Sequence, residues 1–291
     1  MSKASDLASR VLVPLTGVLL FLQGVLIVTG GAVRLTGSGL GCPTWPECTT
    51  GSFTPVAHQA EPVLNVWIEF GNRLLGIVLG FIALLVVIAV LKSKRKDLRI
   101  LAFGQLLGVI AQGILGGITV RTDLHPSFVA PHFLLSIILI PGATSLYSRR
   151  HAPAVFVKSS PLTNKISLAH LATAFLVIVL GTIVTGSGPH AGDAQAERLD
   201  FDIQTVSWIH ADAVILLLGI TFGFYVAQGT STQTKRAIKI FAAIALAQGG
   251  IGYIQYFTGV PEILVAAHIL GATLVWIAAW RIRLSVITQN G

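Results

Sequence analysis

The sequence predicts an all-α polytopic membrane protein. Eight transmembrane helices are expected as two tandem four-helix bundles, related by a pseudo-two-fold axis along the membrane normal. Three observations predict it. Apolar residues make up 53% of the 291 positions and charged residues only 11%, a balance foreign to soluble domains. Mean hydropathy is +0.79, and the apolar residues gather into eight long segments. The chain also repeats its own motifs at a four-segment period.

The segments run at roughly 11–33, 65–91, 99–120, 128–147, 167–185, 206–227, 236–257 and 262–281. Each holds about 20 residues, enough to cross ~30 Å of hydrocarbon as a helix. Lipid offers no hydrogen-bond partners, so helix is the backbone expected throughout. The first segment follows Lys3 and Arg10. It is too long for a signal-peptide core and lacks a small-x-small cleavage site, so it is expected to be retained as a span.

Orientation follows from Lys and Arg. Sixteen of the 20 fall in the N-terminal segment, alternate loops and the C-terminal end, from Lys3 through the Lys92–Arg99 cluster to Arg283. These mark the cytoplasmic side of a multi-pass cell (plasma) membrane protein with both termini cytoplasmic. All five Glu residues (47, 61, 69, 197 and 262) fall toward the outer side. The net charge of +8 could suggest nucleic acid. The basic residues sit instead in short loops and are not interleaved with aromatics, so lipid is the expected surrounding and no nucleic acid the expected partner.

The duplication is explicit. Ala111-Gln112-Gly113 recurs as Ala247-Gln248-Gly249, and a histidine follows each glutamine by 20 residues, at His132 and His268. Thr36-Gly37-Ser38-Gly39 recurs as Thr185-Gly186-Ser187-Gly188. Four spans is an even number, so the halves, 1–150 and 151–291, share one orientation. Gly76 and Gly80 are expected to allow close helix contact.

Three features carry candidate chemistry. In Trp67-Ile68-Glu69-Phe70-Gly71-Asn72-Arg73 a carboxylate and a guanidinium stand four residues apart inside an apolar segment. A carboxylate there is costly enough to need a partner or a function. The pair can be a structural bridge on one helix face, or Glu69 can be reactive. Next, His132, His210 and His268 share one depth near the outer ends of spans four, six and eight, whereas His58, His125, His151 and His190 fall in loops and His170 at a cytoplasmic helix end, as an interfacial polar residue. Histidines on facing helices of a four-helix bundle can grip haem iron from both sides; a proton relay or interhelical hydrogen bonds are the alternatives. By the repeat, Asn72 occupies the position of His210, leaving the first half one strong ligand and one weak. Last, Cys42 and Cys48 lie in a Pro-stiffened outer loop, where a disulfide is expected. Closing that loop is worth roughly 2 kcal/mol in the chain-entropy picture. The bond can pin the loop or take part in redox chemistry.

At these residues the chain resembles the haem A synthase family. The resemblance covers essentially the whole length. It is carried by the Thr-Gly-Ser-Gly-x-Gly-Cys-Pro-x-Trp-Pro-x-Cys loop, by Glu69 before the ligand position of span two, and by histidines on spans four, six and eight. The Phe70-Gly71-Asn72-Arg73 segment resembles the form seen in actinobacterial members. The resemblance implies oxidation of the C8 methyl of haem O to the formyl of haem A, with water-derived oxygen, for assembly of a terminal cytochrome oxidase. It implies a haem b cofactor on His210 and His268, with Glu69 as the catalytic carboxylate and the substrate haem on His132. Asn72 stands where many members carry a fourth histidine. Arg73, Arg34 and Arg121 are the outer cations available to haem propionates. Haem O synthase and an electron acceptor are the implied partners. Two other readings remain open: a non-catalytic dihaem electron-transfer cytochrome, and a duplicated small-molecule transporter with its substrate at the midplane.

Overall fold

Long apolar runs with capping residues and prolines at their ends give eight helices in the computed structural model, which describes residues 3–57 and 59–288. They are α1 (Lys3–Leu35), α2 (Val63–Lys92), α3 (Arg99–Arg121), α4 (Pro126–Ser148), α5 (Pro161–Ser187), α6 (Ile203–Val226), α7 (Thr232–Phe257) and α8 (Glu262–Ile287). All eight are long and apolar enough to cross a membrane. Among the described residues no strand forms beyond two isolated bridges, Thr49 with Ser52 and Phe156 with Thr288. The protein is thus a multi-pass, all-helical membrane protein, as the sequence predicts.

The helix starts follow local chemistry. Pro126 and Pro161 open α4 and α5, where a missing N–H costs nothing. Asp202 caps α6 by accepting from the Thr205 N–H at 2.7 Å, and Ser231 caps α7 by accepting from the Thr234 N–H at 3.1 Å. Thr205 also donates its hydroxyl to Asp202. These hydrogen bonds hold the Asp202 carboxyl below the ordinary carboxylate range. Helices overrun the predicted segments, α1 most of all, because their ends continue into polar residues that water can solvate. The expectation for His58 lies outside the described residues.

The chain forms two compact units, Met1–Ala143 with Thr185–Phe201, and Thr144–Val184 with Asp202–Gly291. In the first, α1 packs on α2 and α2 on α3. A buried amide chain crosses it: Gln23 donates to Gln105 at 2.9 Å, and Gln105 donates to the Leu139 carbonyl at 2.9 Å. Such links hold apolar helices together where lipid competes equally for apolar surface. The loop after α5 belongs here too, through the Gly39 N–H donating to the Gly192 carbonyl at 2.9 Å and the His125–Glu197 contact at 3.1 Å. His125, in its loop, thus has a carboxylate partner. Gly80 meets α3 at Val109, but nothing approaches Gly76, so only one of the two glycines marks a helix contact.

In the second unit α7 packs on α8 and α6 on α7. Arg283 of α8 donates to Asn164 at 2.6 Å and Ser167 at 2.7 Å on α5. Trp280 donates to Ser145 at 2.8 Å. His170 corrects the sequence expectation. It is fully buried, not interfacial, with its ring 4.5 Å from Phe241 and 6.4 Å from Phe224. Aromatic rings on later helices pack around the imidazole, which the apolar context of the sequence does not reveal.

Candidate functional site

The four even-numbered helices carry their chemistry at one register. Glu69, His132, His210 and His268 each lie about two turns inside the start of α2, α4, α6 and α8.

The first unit builds a capped carboxylate. Cys42 and Cys48 are joined in a disulfide. Both are buried, packed with Val66 and Phe70 of α2. The bonded loop lies on the start of α2, with Asn65 donating to the Gly37 carbonyl at 3.0 Å. Trp45 reaches α3 and packs on Gly117, where any side chain would collide with the indole. Arg121 closes over the same ring and donates to the Trp45 carbonyl at 3.0 Å.

Glu69 sits under this loop, 5% exposed. Its Oε2 accepts from the Cys42 N–H at 2.7 Å. Its Oε1 accepts from Arg73 twice, from Nε at 3.0 Å and from a terminal nitrogen at 2.6 Å. Arg73 donates further to the carbonyls of Thr44 at 2.9 Å, Glu47 at 3.0 Å and Cys42 at 2.6 Å. The bridge along one helix face expected from the four-residue spacing is present, and it extends into the cysteine loop. Removing one partner of a buried pair like this costs about 3–5 kcal/mol. The other two candidate cations are also engaged: Arg34 donates to the Thr185 carbonyl, and Arg121 to that of Trp45.

The same unit holds His132 and Asn72. The His132 ring edge packs on Gly116, whose Cα leaves room that a Cβ would fill at 3.2 Å from the imidazole Cε1. Gln112 donates to the His132 carbonyl at 3.0 Å and also to Ser136. Asn72 is bonded to Thr29 on α1 at 2.8 Å.

The second unit repeats the arrangement. Gln248 donates to the His268 carbonyl at 2.7 Å, and Gly252 faces His268 as Gly116 faces His132. Gly181 on α5 does the same for His210. The His210 and His268 rings stand 6.5 Å apart, centre to centre, at 66°. The Nδ1 atoms of His132 and His268 are buried without a hydrogen-bond partner.

Two facing imidazoles can share a metal ion. With metal–nitrogen bonds of about 2 Å, and ring centres about 1 Å behind each nitrogen, their centres would lie about 6 Å apart. The observed separation fits. No group of three or more His, Cys, Asp or Glu side chains is placed to hold a metal among the described residues. An ion between His210 and His268 would therefore draw its remaining ligands from elsewhere, as iron does in a porphyrin.

The glutamines and the glycines that back the histidines are the residues that sequence reasoning passed over. The 20-residue spacing from Gln to His served only to mark the repeat. Its physical cause is a side chain on one helix tied to the carbonyl of the histidine on the next, with a glycine one turn beyond.

Fold and site together define a multi-pass helical membrane protein with imidazoles paired across helices and a loop-capped carboxylate. The sequence model of the COX15-CtaA family, described as cytochrome oxidase assembly protein, matches residues 14–280, and the chain belongs to that family. It is similar to a protein named Heme A synthase from Shewanella oneidensis, 30% identical over 166 residues, which is 53% of this chain and 49% of that protein. A protein of the same name from Azorhizobium caulinodans is 28% identical over 302 residues, covering 84% of this chain and 85% of the other. A third, from a Bradyrhizobium species, is 26% identical over 294 residues, covering 81% and 80%.

Proposed function

We propose that the chain is a haem A synthase, oxidising the C8 methyl of haem O to the formyl of haem A for oxidase assembly. Relatives carrying that name across most of the chain support the reading. The observation that carries it in the molecule is the pair of facing imidazoles, 6.5 Å apart, in a protein with a buried carboxylate under a disulfide-closed loop.

The overall change converts a methyl and one water into a formyl, releasing four protons and four electrons. Glu69 is the proton acceptor. Its carboxylate is buried at the register of the histidines, and a fixed carboxylate is suited to taking protons as electrons leave the methyl. His132 orients the substrate as an axial ligand to its iron. Asn72 leaves the opposite position open or labile. His210 and His268 would hold haem b, which when bound would supply a one-electron carrier. The electrons go to an acceptor outside the chain, and haem O arrives from the synthase that makes it. The Lys and Arg distribution supports both termini lying in the cytoplasm, and the repeat supports two tandem bundles split near residue 150.

The test is co-expression with a haem O source, followed by pigment extraction. The expected result is haem A from the wild type. Glu69→Gln should retain haem b and make no haem A, and His268→Ala should lose the low-spin haem b spectrum. Haem b alone from an active co-expression system would favour a non-catalytic cytochrome, and a colourless protein would end the reading.

A further inference from the structure

We propose that Arg73 is a positioning residue: it locks the Glu69 carboxylate to the Cys42–Cys48 loop and does not bind the substrate. The proposal rests on Glu69 being the proton acceptor.

A guanidinium carries five N–H donors. All five have acceptors here. Nε and one terminal N–H serve Oε1 of Glu69. The remaining three serve the carbonyls of Cys42, Thr44 and Glu47. No donor is left for an anionic group of the substrate. The three carbonyls come from separate points of one disulfide-closed loop. Only a planar fork meets them and a carboxylate together, because an ammonium offers three donors from a single point.

The loop also touches Glu69 directly, through the Cys42 N–H on Oε2. Each carboxylate oxygen is thus fixed by a group that belongs to, or is held by, the loop. The loop itself is anchored on α3 by Trp45 on Gly117 and by Arg121. A carboxylate at the end of a side chain with three rotatable bonds would otherwise take many orientations. Held at both oxygens, it keeps one orientation.

Arg73→Lys and Arg73→Gln, made in the full-length protein in membranes, test this against Glu69→Gln. Misplacing a reacting group by an ångström can cost about 100-fold in rate. In both Arg73 variants kcat should fall about 100-fold, while KM for haem O stays within about twofold and the haem b spectrum is unchanged. Retained charge in Arg73→Lys should not rescue. Amide exchange in the peptide containing Cys42 should accelerate about tenfold or more, because its partner carboxylate is no longer held.

A raised KM with intact kcat would assign Arg73 to substrate binding and overturn the proposal. So would wild-type kcat or unaltered Cys42 exchange in Arg73→Lys. That variant decides the matter if Arg73→Gln loses haem b. Wild-type turnover in Glu69→Gln would remove the catalytic reading, and this proposal with it. An inactive Glu69→Gln beside a fully active Arg73→Lys would remove this proposal alone.

Discussion

Replacing Gly252 by alanine probes the backing of His268 with a single methyl group. The new Cβ would stand 3.0 Å from the imidazole Cε1 and 3.5 Å from Nδ1. The ring must then withdraw by a few tenths of an ångström. Two stability terms oppose each other. Overpacking costs about 1–3 kcal/mol, and glycine to alanine inside a helix returns about 1 kcal/mol. The net is about 0–2 kcal/mol destabilising, so melting alone would not report where the ring has moved. The position of the ring is the sensitive quantity, because a metal–imidazole bond of about 2 Å tolerates little displacement. Gly252→Ala should therefore reduce or broaden the low-spin haem b signal in absorption and electron paramagnetic resonance while the protein still folds. Gly181→Ala, with a looser 3.3 Å approach to His210, should perturb it less. A haem b spectrum and content identical to wild type in Gly252→Ala would refute the idea that this glycine sets the imidazole.

Two further outcomes are expected. Asn72→His restores the residue type that the repeat places at His210, so the first-half substrate iron should shift toward six-coordination; an unchanged ligand-field spectrum in haem O-loaded protein would count against Asn72 facing the iron. Asp202→Ala removes the α6 cap. Its folded carboxyl titrates below the ordinary value, so its contribution is full above about pH 4, near the unfolded value, and is lost as pH falls through the folded one. The gap in Tm between wild type and variant should hold steady at neutral pH and close in strong acid, and a gap that widens in acid would contradict the cap's role.

The fold was legible because a bilayer restricts the backbone so severely that segment length and apolar content pick out the spans. All eight spans were readable on those grounds. The site was legible where chemistry clashes with its surroundings. Glu69 in an apolar helix stands out, as do three histidines at one depth and two cysteines in one short loop. What escaped is polar pairing across distance in the chain. Nothing at Arg73 announces that three of its donors serve a loop about thirty residues away. The burial of His170 escaped for a related reason. Phe224 and Phe241, which enclose it, sit on later helices and are indistinguishable in sequence from lipid-facing phenylalanines such as Phe222, which is exposed.

The two units use one device for different ends. In each, a glutamine on the third helix of the repeat ties the carbonyl of a histidine on the fourth, and a glycine one turn further backs the ring. In the second unit the partner across the helices is another histidine with its own glycine. In the first, Asn72 is bonded to Thr29, and Glu69 on the same helix is clamped under the loop. Two imidazoles such as His210 and His268 would hold a haem iron from both sides, and such a haem would supply a one-electron carrier. One strong ligand leaves a position that can change during reaction. On the proposed function, the polar residues that differ between the units would separate an electron-carrying site from the site of chemistry.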